Sequence, residues 1–282
     1  SGYGFSLKDL LIHNDFIFAT YTEEIKKDCW NTSVLYSNID FKNIKFKKMF
    51  SSKDCINSLK NTDGEFYAQQ SGGRIINYNK NNYLLSVGEY RSRYLAQELT
   101  NINGKIIMIN TDNNDYKIVS IGHRNPQGLY FDQENNFLLE TEHGPKGGDE
   151  INIIKIENIS NNSYKNYGWP ISSVGEHYKK TPEKLKKYPL YNSHSEHGFI
   201  EPKKTFVPSI AISEITKIGK KKYVTSSLKD KSIYFFDLDS QNNIINFERV
   251  FVDERVRDIK FKDEKLYLFL ENTPSIGIIS LN

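Results

Sequence analysis

The chain has little of several features that would decide its class at once. It has no run of about 18 apolar residues, so the sequence predicts no helix that spans a membrane. It has no G-x-G-x-x-G or P-loop pattern, and no helical pattern long enough for a βαβ crossover, which excludes a Rossmann-type fold. A G-x-S-x-G nucleophile elbow is also absent, and no signal peptide is visible.

Charge of one sign is not concentrated anywhere. The 38 Lys and Arg residues nearly balance the 35 Asp and Glu residues, with a formal net charge of +3. The lysines are scattered rather than massed on one stretch. This pattern argues against nucleic acid as the main partner.

Cysteine is scarce, with only Cys29 and Cys55 in the chain. The two residues flank a predicted strand pair, so a disulfide is geometrically plausible, and two free buried thiols are equally consistent with the sequence. A disulfide would indicate an oxidising compartment.

Aromatic residues are plentiful, and the 18 Tyr and 17 Phe favour strands over helices. One pattern recurs five times, in which a polar turn separates two apolar strands. The five predicted hairpins cover residues 9–12 with 16–22, 74–78 with 83–88, 128–132 with 136–141, 214–218 with 222–226, and 258–261 with 265–270. Further strands are predicted at 105–110, 151–156, 232–237 and 276–280.

A repeat of roughly 40–50 residues with four strands indicates an all-β protein, and a β-propeller rather than a sandwich or barrel. We expect one propeller domain over residues 1–282 with antiparallel four-stranded blades. A loop-rich insertion is predicted at about 158–208, with a helix-like segment at 181–187. Five hairpins in an open ring would leave two unpaired sheet edges. The pattern therefore predicts either a sixth, N-terminal blade missing from this chain or a gap closed in another way.

Polar motifs flank the third hairpin. GHRNPQG precedes its first strand and EHGPKGGDE follows its second. Because the first strand of a hairpin starts beside the end of the second, we expect Arg124 and Asn125 to meet His143, Gly144 and Pro145. Such loops on a rigid hairpin are typical of a functional site, although elaborate turns use the same residues.

The same argument brings Lys229, Arg255 and Arg257 to the same end as Arg124. Four cations around one cleft predict an anionic ligand that carries carboxylates or phosphates. The alternative is a set of separate surface salt bridges.

The motifs GHRNPQGL, EHGPKGGDEIN and NYGWP (166–170) together resemble those of the soluble quinoprotein sugar dehydrogenases, the glucose/sorbosone or aldose sugar dehydrogenase family. Shorter matches include SGGRI, VGE, AQEL, SLK and RVRD, and the resemblance runs from about residue 5 to the C-terminus. It implies a six-bladed propeller that binds pyrroloquinoline quinone (PQQ) and calcium at one end of its axis.

The resemblance also assigns roles to the polar residues at that end. It implies that Gly144 and Pro145 offer backbone carbonyls to calcium, which prefers oxygen ligands. It implies that Asp149 and Glu150 brace this loop or hold a second calcium. The implied cofactor contacts are Arg124, Asn125 and His143, and also Lys229, Arg255 and Arg257, which would pair with the PQQ carboxylates and carbonyls.

One position departs from the family. A histidine four residues before the Arg of the GGR motif serves the family as general base, whereas this chain has Gln70, beside Gln69. An amide cannot accept a proton near neutral pH. The carboxylate that would orient the histidine is retained as Glu89, a candidate substitute base, and Arg124 completes the implied catalytic set.

Two functions follow. The first is a periplasmic or secreted quinoprotein oxidoreductase that oxidises aldose-type sugars for an unidentified electron acceptor, slowed by the loss of the histidine. The second is a non-catalytic propeller that binds PQQ, a sugar or a protein partner.

Overall fold

The computed structural model describes residues 4–156 and 164–281. These residues form two compact units, the first of residues 4–126 and 164–171, the second of residues 127–156 and 172–281. Two β-sheets lie in the first unit and three in the second. The start of the predicted insertion, residues 158–163, lies outside the described residues.

The strands follow one another through the sheets almost in chain order. The first sheet comprises β1 (Leu7–His13), β2 (Phe16–Lys26), β3 (Cys29–Asn38), β4 (Lys47–Ser51) and β5 (Ile56–Asn57). The second contains β6 (Gly72–Asn79), β7 (Asn82–Val87), β8 (Lys105–Asn110) and β9 (Tyr116–Ile121). The third contains β10 (Pro126–Asp132), β11 (Phe137–Glu142) and β12 (Asp149–Lys155).

The later strands complete these sheets and form two more. The short strand β13 (Lys165–Asn166) joins the second sheet beside β9, and β14 (Lys204–Phe206) joins the third beside β12. The fourth sheet comprises β15 (Ile212–Gly219), β16 (Lys222–Ser227), β17 (Ser232–Leu238) and β18 (Ile244–Phe251). The fifth comprises β19 (Val256–Lys262), β20 (Lys265–Leu270) and β21 (Ser275–Ser280).

Helices are short in the described chain. The helix α1 (Pro182–Lys187) begins after Thr181, whose side chain accepts a hydrogen bond from the backbone N–H of Lys184 at 3.2 Å. Two 3₁₀ helices cover Arg93–Gln97 and Ser195–His197. No helix among the described residues is long and apolar enough to cross a membrane.

All five predicted hairpins are confirmed, as are the further strands and the helix-like segment. The all-β propeller class is confirmed, but the expected six blades are wrong for the described residues, which form five sheets. Each recurrence of the hairpin starts one sheet, so five hairpins give five sheets. The expected four strands per blade hold for two of them, while the others have three or five strands. Pairing is antiparallel except for β13, which runs parallel to β9.

Apolar residues that alternate along the strands form the core between successive sheets of each unit. Phe18, Val34, Leu85 and Ile107 belong to one buried cluster in the first unit, and a second cluster in the second unit includes Tyr223. Threonine hydroxyl groups also connect neighbouring sheets, at corresponding positions in the two units. The Thr20 hydroxyl donates to the carbonyl of Gly73, and the Thr141 hydroxyl donates to that of Ser213.

The SGGRI motif has a structural role in the first unit. The Arg74 guanidinium donates to Asp9 at 2.9 Å, and both side chains are buried. The other oxygen of Asp9 accepts the backbone N–H of Ile75 at 3.0 Å. This paired, hydrogen-bonded arginine joins β6 to β1 and leaves neither charge uncompensated.

The two cysteines form a disulfide, with their Cα atoms 5.3 Å apart. This geometry follows from the pairing of β5 with β3, which places Cys29 opposite Asn57. The prediction that the two residues lie within bonding distance is confirmed, and the alternative of two free thiols is not what the structure shows.

We expect the double substitution Cys29→Ser and Cys55→Ser to lower the free energy of unfolding by about 3–4 kcal/mol, because the bond closes a loop in the unfolded chain. The sequence separation of 26 residues sets this value. Urea denaturation of both proteins gives the difference, and reductant should bring the wild type to the stability of the variant. Mass spectrometry that finds two free thiols after folding under oxidising conditions would contradict the assignment.

Candidate functional site

In the first unit, the ends of the hairpin β6–β7 bring Gln70 and Glu89 to one place. Gly72 pairs with Val87, so the residues before β6 lie beside those after β7. The backbone N–H of Tyr90 donates to the carbonyl of Gln70 at 2.9 Å. A Cβ atom on Gly88 would lie 2.3 Å from that carbonyl oxygen. Only glycine permits this approach, which explains the VGE motif.

The structure distinguishes the two adjacent glutamines. Gln69 is exposed, and its side-chain oxygen accepts a hydrogen bond from the Tyr67 hydroxyl. Gln70 is buried, and its Oε1 accepts a hydrogen bond from Nε of Arg91 at 3.1 Å. Gln70 is therefore the interior residue of the two, and its match to the histidine position of the family stays a prediction. Sequence reasoning missed the part played by Arg91, although its place just after β7 was a signal.

Glu89 is a buried carboxylate with unused hydrogen-bonding capacity. Its side chain is 1% exposed, and its Oε2 has no hydrogen-bond partner among the described residues. Burial raises the pKa of Glu89 to about 7, although the charges of Arg124 and Arg93 and a hydrogen bond from the backbone N–H of Arg91 act in the opposite direction. A carboxyl group with this pKa is half ionised at neutral pH and can accept a proton there.

The raised pKa of Glu89 predicts a pH-dependent cost in stability. The protonated carboxyl is favoured in the folded protein, so the cost is absent below pH 4.5, grows as the pH rises from 4.5 to about 7 and levels off above that. We expect Glu89→Gln to stabilise the protein by about 2–3 kcal/mol more at pH 8 than at pH 5. Urea denaturation at both pH values tests this, with the exposed residue change Glu248→Gln as control. An equal effect of Glu89→Gln at both pH values would contradict the raised pKa.

Arg124 and Asn125 are buried in the same unit. The guanidinium carbon of Arg124 lies 5.3 Å from the ring centre of Trp169, within the range of a cation–π contact. The backbone carbonyl of Arg124 accepts the N–H of Glu89 at 3.0 Å. The side-chain oxygen of Asn125 accepts the N–H of Gly72 at 3.1 Å. These bonds fix the GHRNPQG segment beside Glu89.

Trp169 is a core residue that also contacts Arg124. Sequence reasoning missed this contact. The side-chain amide of Gln97 donates to the Trp169 carbonyl at 2.6 Å and exchanges hydrogen bonds with the Asn166 side chain. The AQEL and NYGWP motifs therefore work together to hold the indole beneath the guanidinium. Both motifs are visible in the sequence. Their contact is not, because about 70 residues of chain separate them.

In the second unit, the EHGPKGGDE loop is braced by Asp149. One carboxylate oxygen of Asp149 accepts the N–H of Gly144 at 3.1 Å and the other accepts the N–H of Ile212 at 3.2 Å. A Cβ atom on Gly144 would lie 2.0 Å from the carbonyl oxygen of Gly148. The prediction that Asp149 braces this loop is confirmed.

Contacts of residues 209–213 connect Pro145, Lys229 and Arg257. The Ser209 hydroxyl donates to the Pro145 carbonyl at 3.3 Å, and the carbonyl of Ile210 accepts the N–H of Lys229 at 3.0 Å. The Ser213 hydroxyl donates to the carbonyl of Arg257 at 2.6 Å. Residues 209–213 therefore bind three parts of the second unit that are far apart in the sequence.

Two arginines in this region share one carboxylate. Arg255 and Arg257 lie 3.3 Å and 2.8 Å from the same oxygen of Glu271, and all three side chains are partly exposed. Lys229 is exposed. Among the described residues, Glu271 is the carboxylate that pairs with both arginines, so this pair carries one more positive than negative charge. His143 is half-buried.

The residues present fit the implied groups chemically. Lys229, Arg255 and Arg257 supply donors for carboxylates, and the arginines can bind them in a bidentate manner. The carbonyl oxygens of Gly144 and Pro145 are ligands of the kind calcium prefers. Convergence of the second unit's cations with Arg124 and Asn125 stays a prediction.

Most of the chain is similar to proteins that are already known. A family model described as Glucose / Sorbosone dehydrogenase matches residues 6–278. Aldose sugar dehydrogenase YliI of Escherichia coli (strain K12) is 29% identical over 225 residues, 73% of this chain and 58% of that protein. The chain therefore spans little more than half the length of that relative.

Solved structures show the same fold. The apo-form of the soluble aldose sugar dehydrogenase from Escherichia coli has a TM-score of 0.78 at 24% identity, over 98% of this chain and 83% of that one. The PQQ-bound form of an aldose sugar dehydrogenase from Streptomyces coelicolor has a TM-score of 0.66 at 20% identity, over 92% of this chain and 70% of that one.

Proposed function

Because the chain belongs to the glucose/sorbosone dehydrogenase family, we propose that it is a slow quinoprotein oxidoreductase that oxidises aldose-type sugars with PQQ and calcium. The observation that carries this proposal is that Gln70 and Glu89 are both buried at one end of the hairpin β6–β7, and that Oε2 of Glu89 has no hydrogen-bond partner among the described residues. The carboxylate that would orient a histidine is retained, and the base itself is replaced.

The proposed roles follow from the chemistry of each side chain. PQQ, when bound, supplies the acceptor for the two electrons removed from the sugar. Arg124 and Asn125 hold the ligand in the first unit, where burial makes their hydrogen bonds strong. Lys229, Arg255 and Arg257 pair with its carboxylates, with His143 as a further contact. The carbonyls of Gly144 and Pro145 hold calcium.

The proton of the sugar hydroxyl needs an acceptor. Gln70 can donate and accept hydrogen bonds but cannot take up a proton at neutral pH. Glu89 can, because its pKa is about 7. However, Glu89 is 1% exposed, so its access to a substrate hydroxyl is poor. Loss of an efficient general base typically costs about 10²–10⁴-fold in rate, which is why we propose slow turnover.

A periplasmic or secreted location belongs to the proposal. The disulfide between Cys29 and Cys55 supports it, since such bonds persist in oxidising compartments.

Reconstitution tests the proposed function. The protein is loaded with PQQ and calcium, binding is followed by calorimetry, and dye reduction is measured with a panel of aldoses. Binding with slow sugar-dependent reduction is expected. Binding without any reduction would favour the non-catalytic propeller, which the replacement at Gln70 also suits. Absence of PQQ binding would overturn the quinoprotein assignment.

A further inference from the structure

The first unit contains a cavity of about 480 Å³ between two segments of the chain. Residues 54–62 form its first wall, and residues 94–103 form its second wall. The volume lies within the range of roughly 300–1,000 Å³ that is usual for small-molecule sites. None of the described residues proposed to contact PQQ, calcium or the oxidised sugar lines this cavity.

The first wall is held to the sheet behind it. Cys55 is bonded to Cys29 of β3, and the neighbouring strand β5 pairs with β3 as well. After β5, the side-chain oxygen of Asn57 accepts the backbone N–H groups of Leu59 at 2.9 Å and Lys60 at 2.7 Å. A disulfide, a strand pairing and a capped turn therefore fix this side of the cavity.

The second wall is held from behind by a buried lysine. Lys105 is 0% exposed. Its Nζ donates to the carbonyls of Leu95 and Asn103, each at 2.7 Å, and to Oδ1 of Asn101 at 3.4 Å. All three acceptor residues line the cavity. Burial lowers the pKa of Lys105 to about 7, and the hydrogen bonds offset part of the cost of burying this group.

A pair of buried asparagines joins the two walls. The side-chain amide of Asn31 donates to the carbonyl of Asp54 at 2.8 Å and to Oδ1 of Asn103 at 3.2 Å. The amide of Asn103 donates back to Oδ1 of Asn31 at 3.1 Å. The cavity is therefore preformed, so a ligand that enters it loses little binding free energy to the ordering of the walls.

Polar groups of the first wall have unused hydrogen-bonding capacity. The Asp54 carboxylate, the Lys60 ammonium and the Thr62 hydroxyl make no hydrogen bond or ion pair within the part of the chain that the structure describes. The side-chain nitrogen of Asn57 likewise has no hydrogen-bond partner there. These groups offer both donors and acceptors to a ligand, and their one acid and one base carry no net charge.

We propose that this cavity binds a saccharide without net charge, at a site separate from the proposed catalytic residues. The hydroxyl groups of a pyranose donate and accept, which suits the carboxylate of Asp54 and the amide of Asn57. The apolar face of the sugar ring would pack against Tyr94, which lines the cavity and is half-buried. Because Asp54 and Lys60 balance in charge, neither an anion nor a cation is favoured. Binding here requires neither PQQ nor calcium.

The protein free of PQQ and treated with chelator tests the proposal. Calorimetric titration should show one molecule of glucose or maltose bound per chain, and weaker binding of the charged sugars glucuronate and glucosamine. Asp54→Ala should weaken glucose binding about tenfold or more, and Thr62→Ala about two- to tenfold, because hydrogen bonds to charged groups contribute more. Asp115→Ala, an exposed change in the same unit, is the matched control and should leave binding unaltered.

Both test residues are exposed and their side chains make no hydrogen bond in the described chain, so the variants should fold, as melting curves verify. Folded variants that bind glucose as tightly as the wild type would overturn the proposal, since the sugar would then lie elsewhere, such as beside Gln70. A wild-type protein that binds neither neutral sugar, or binds a charged one as tightly, would also overturn it. Dye reduction by the PQQ-loaded protein is measured separately, so failure of this site and failure of the proposed function are distinguishable.

Discussion

Gln70→His is expected to raise the rate of sugar oxidation by the PQQ-loaded protein about 100-fold or more, the lower part of the range for a general base. An imidazole can accept the hydroxyl proton, which an amide cannot. Glu89 would orient the imidazole ring, because this carboxylate is buried and its Oε2 has no hydrogen-bond partner among the described residues. Steady-state dye reduction under saturating PQQ and calcium gives kcat for both proteins.

Two controls separate this result from a general effect of histidine. Gln69→His should leave the rate unchanged, because residue 69 is exposed. Adding Glu89→Gln to Gln70→His should remove much of the gain, since the ring would lose its carboxylate partner. Arg91 would lose its hydrogen bond to Gln70 in the variant. It would keep its ion pair with Glu65 at 3.7 Å and its cation–π contact with the Tyr67 ring at 4.8 Å. A wild type as fast as the Gln70→His variant would place the base elsewhere.

Arg257→Ala is expected to weaken PQQ binding about 10–100-fold, the usual cost of one charge-assisted hydrogen bond to a carboxylate. Arg255 and Arg257 share the Oε2 atom of Glu271. Without the Arg257 side chain, Glu271 would pair with Arg255 alone and compete with PQQ for it. Calorimetry in the presence of calcium gives the two dissociation constants. The backbone carbonyl of Arg257, which holds Ser213, is unaffected by the change.

Arg249→Ala is the matched control for this experiment. Arg249 belongs to the same unit, is about as exposed as Arg257 and is paired with Asp230 at 2.7 Å. It lies outside the proposed PQQ contacts, so its loss should leave PQQ binding unchanged. Equal binding by the wild type and the Arg257→Ala variant would remove Arg257 from the cofactor contacts, and equal losses in both variants would indicate a nonspecific charge effect.

The sequence by itself determined the repeating unit of this protein. The alternation of apolar residues and the polar turns between strands are local signals. The hairpins β1–β2 and β19–β20 could therefore be placed to within a few residues. The helix α1 was marked by Thr181 and Pro182 in the same local way. The motifs around Arg124 and Gly144 likewise indicated the ligand chemistry of the family.

Only the tertiary structure decided which distant residues meet. The return of β13 to β9 and the contact of Trp169 with Arg124 join parts of the chain that no local pattern connects. The same holds for the state of Glu89, because a carboxyl pKa near 7 arises from burial and from nearby charges. Sequence fixes which groups are present and how strands alternate, whereas proton affinity depends on the surroundings that folding assembles.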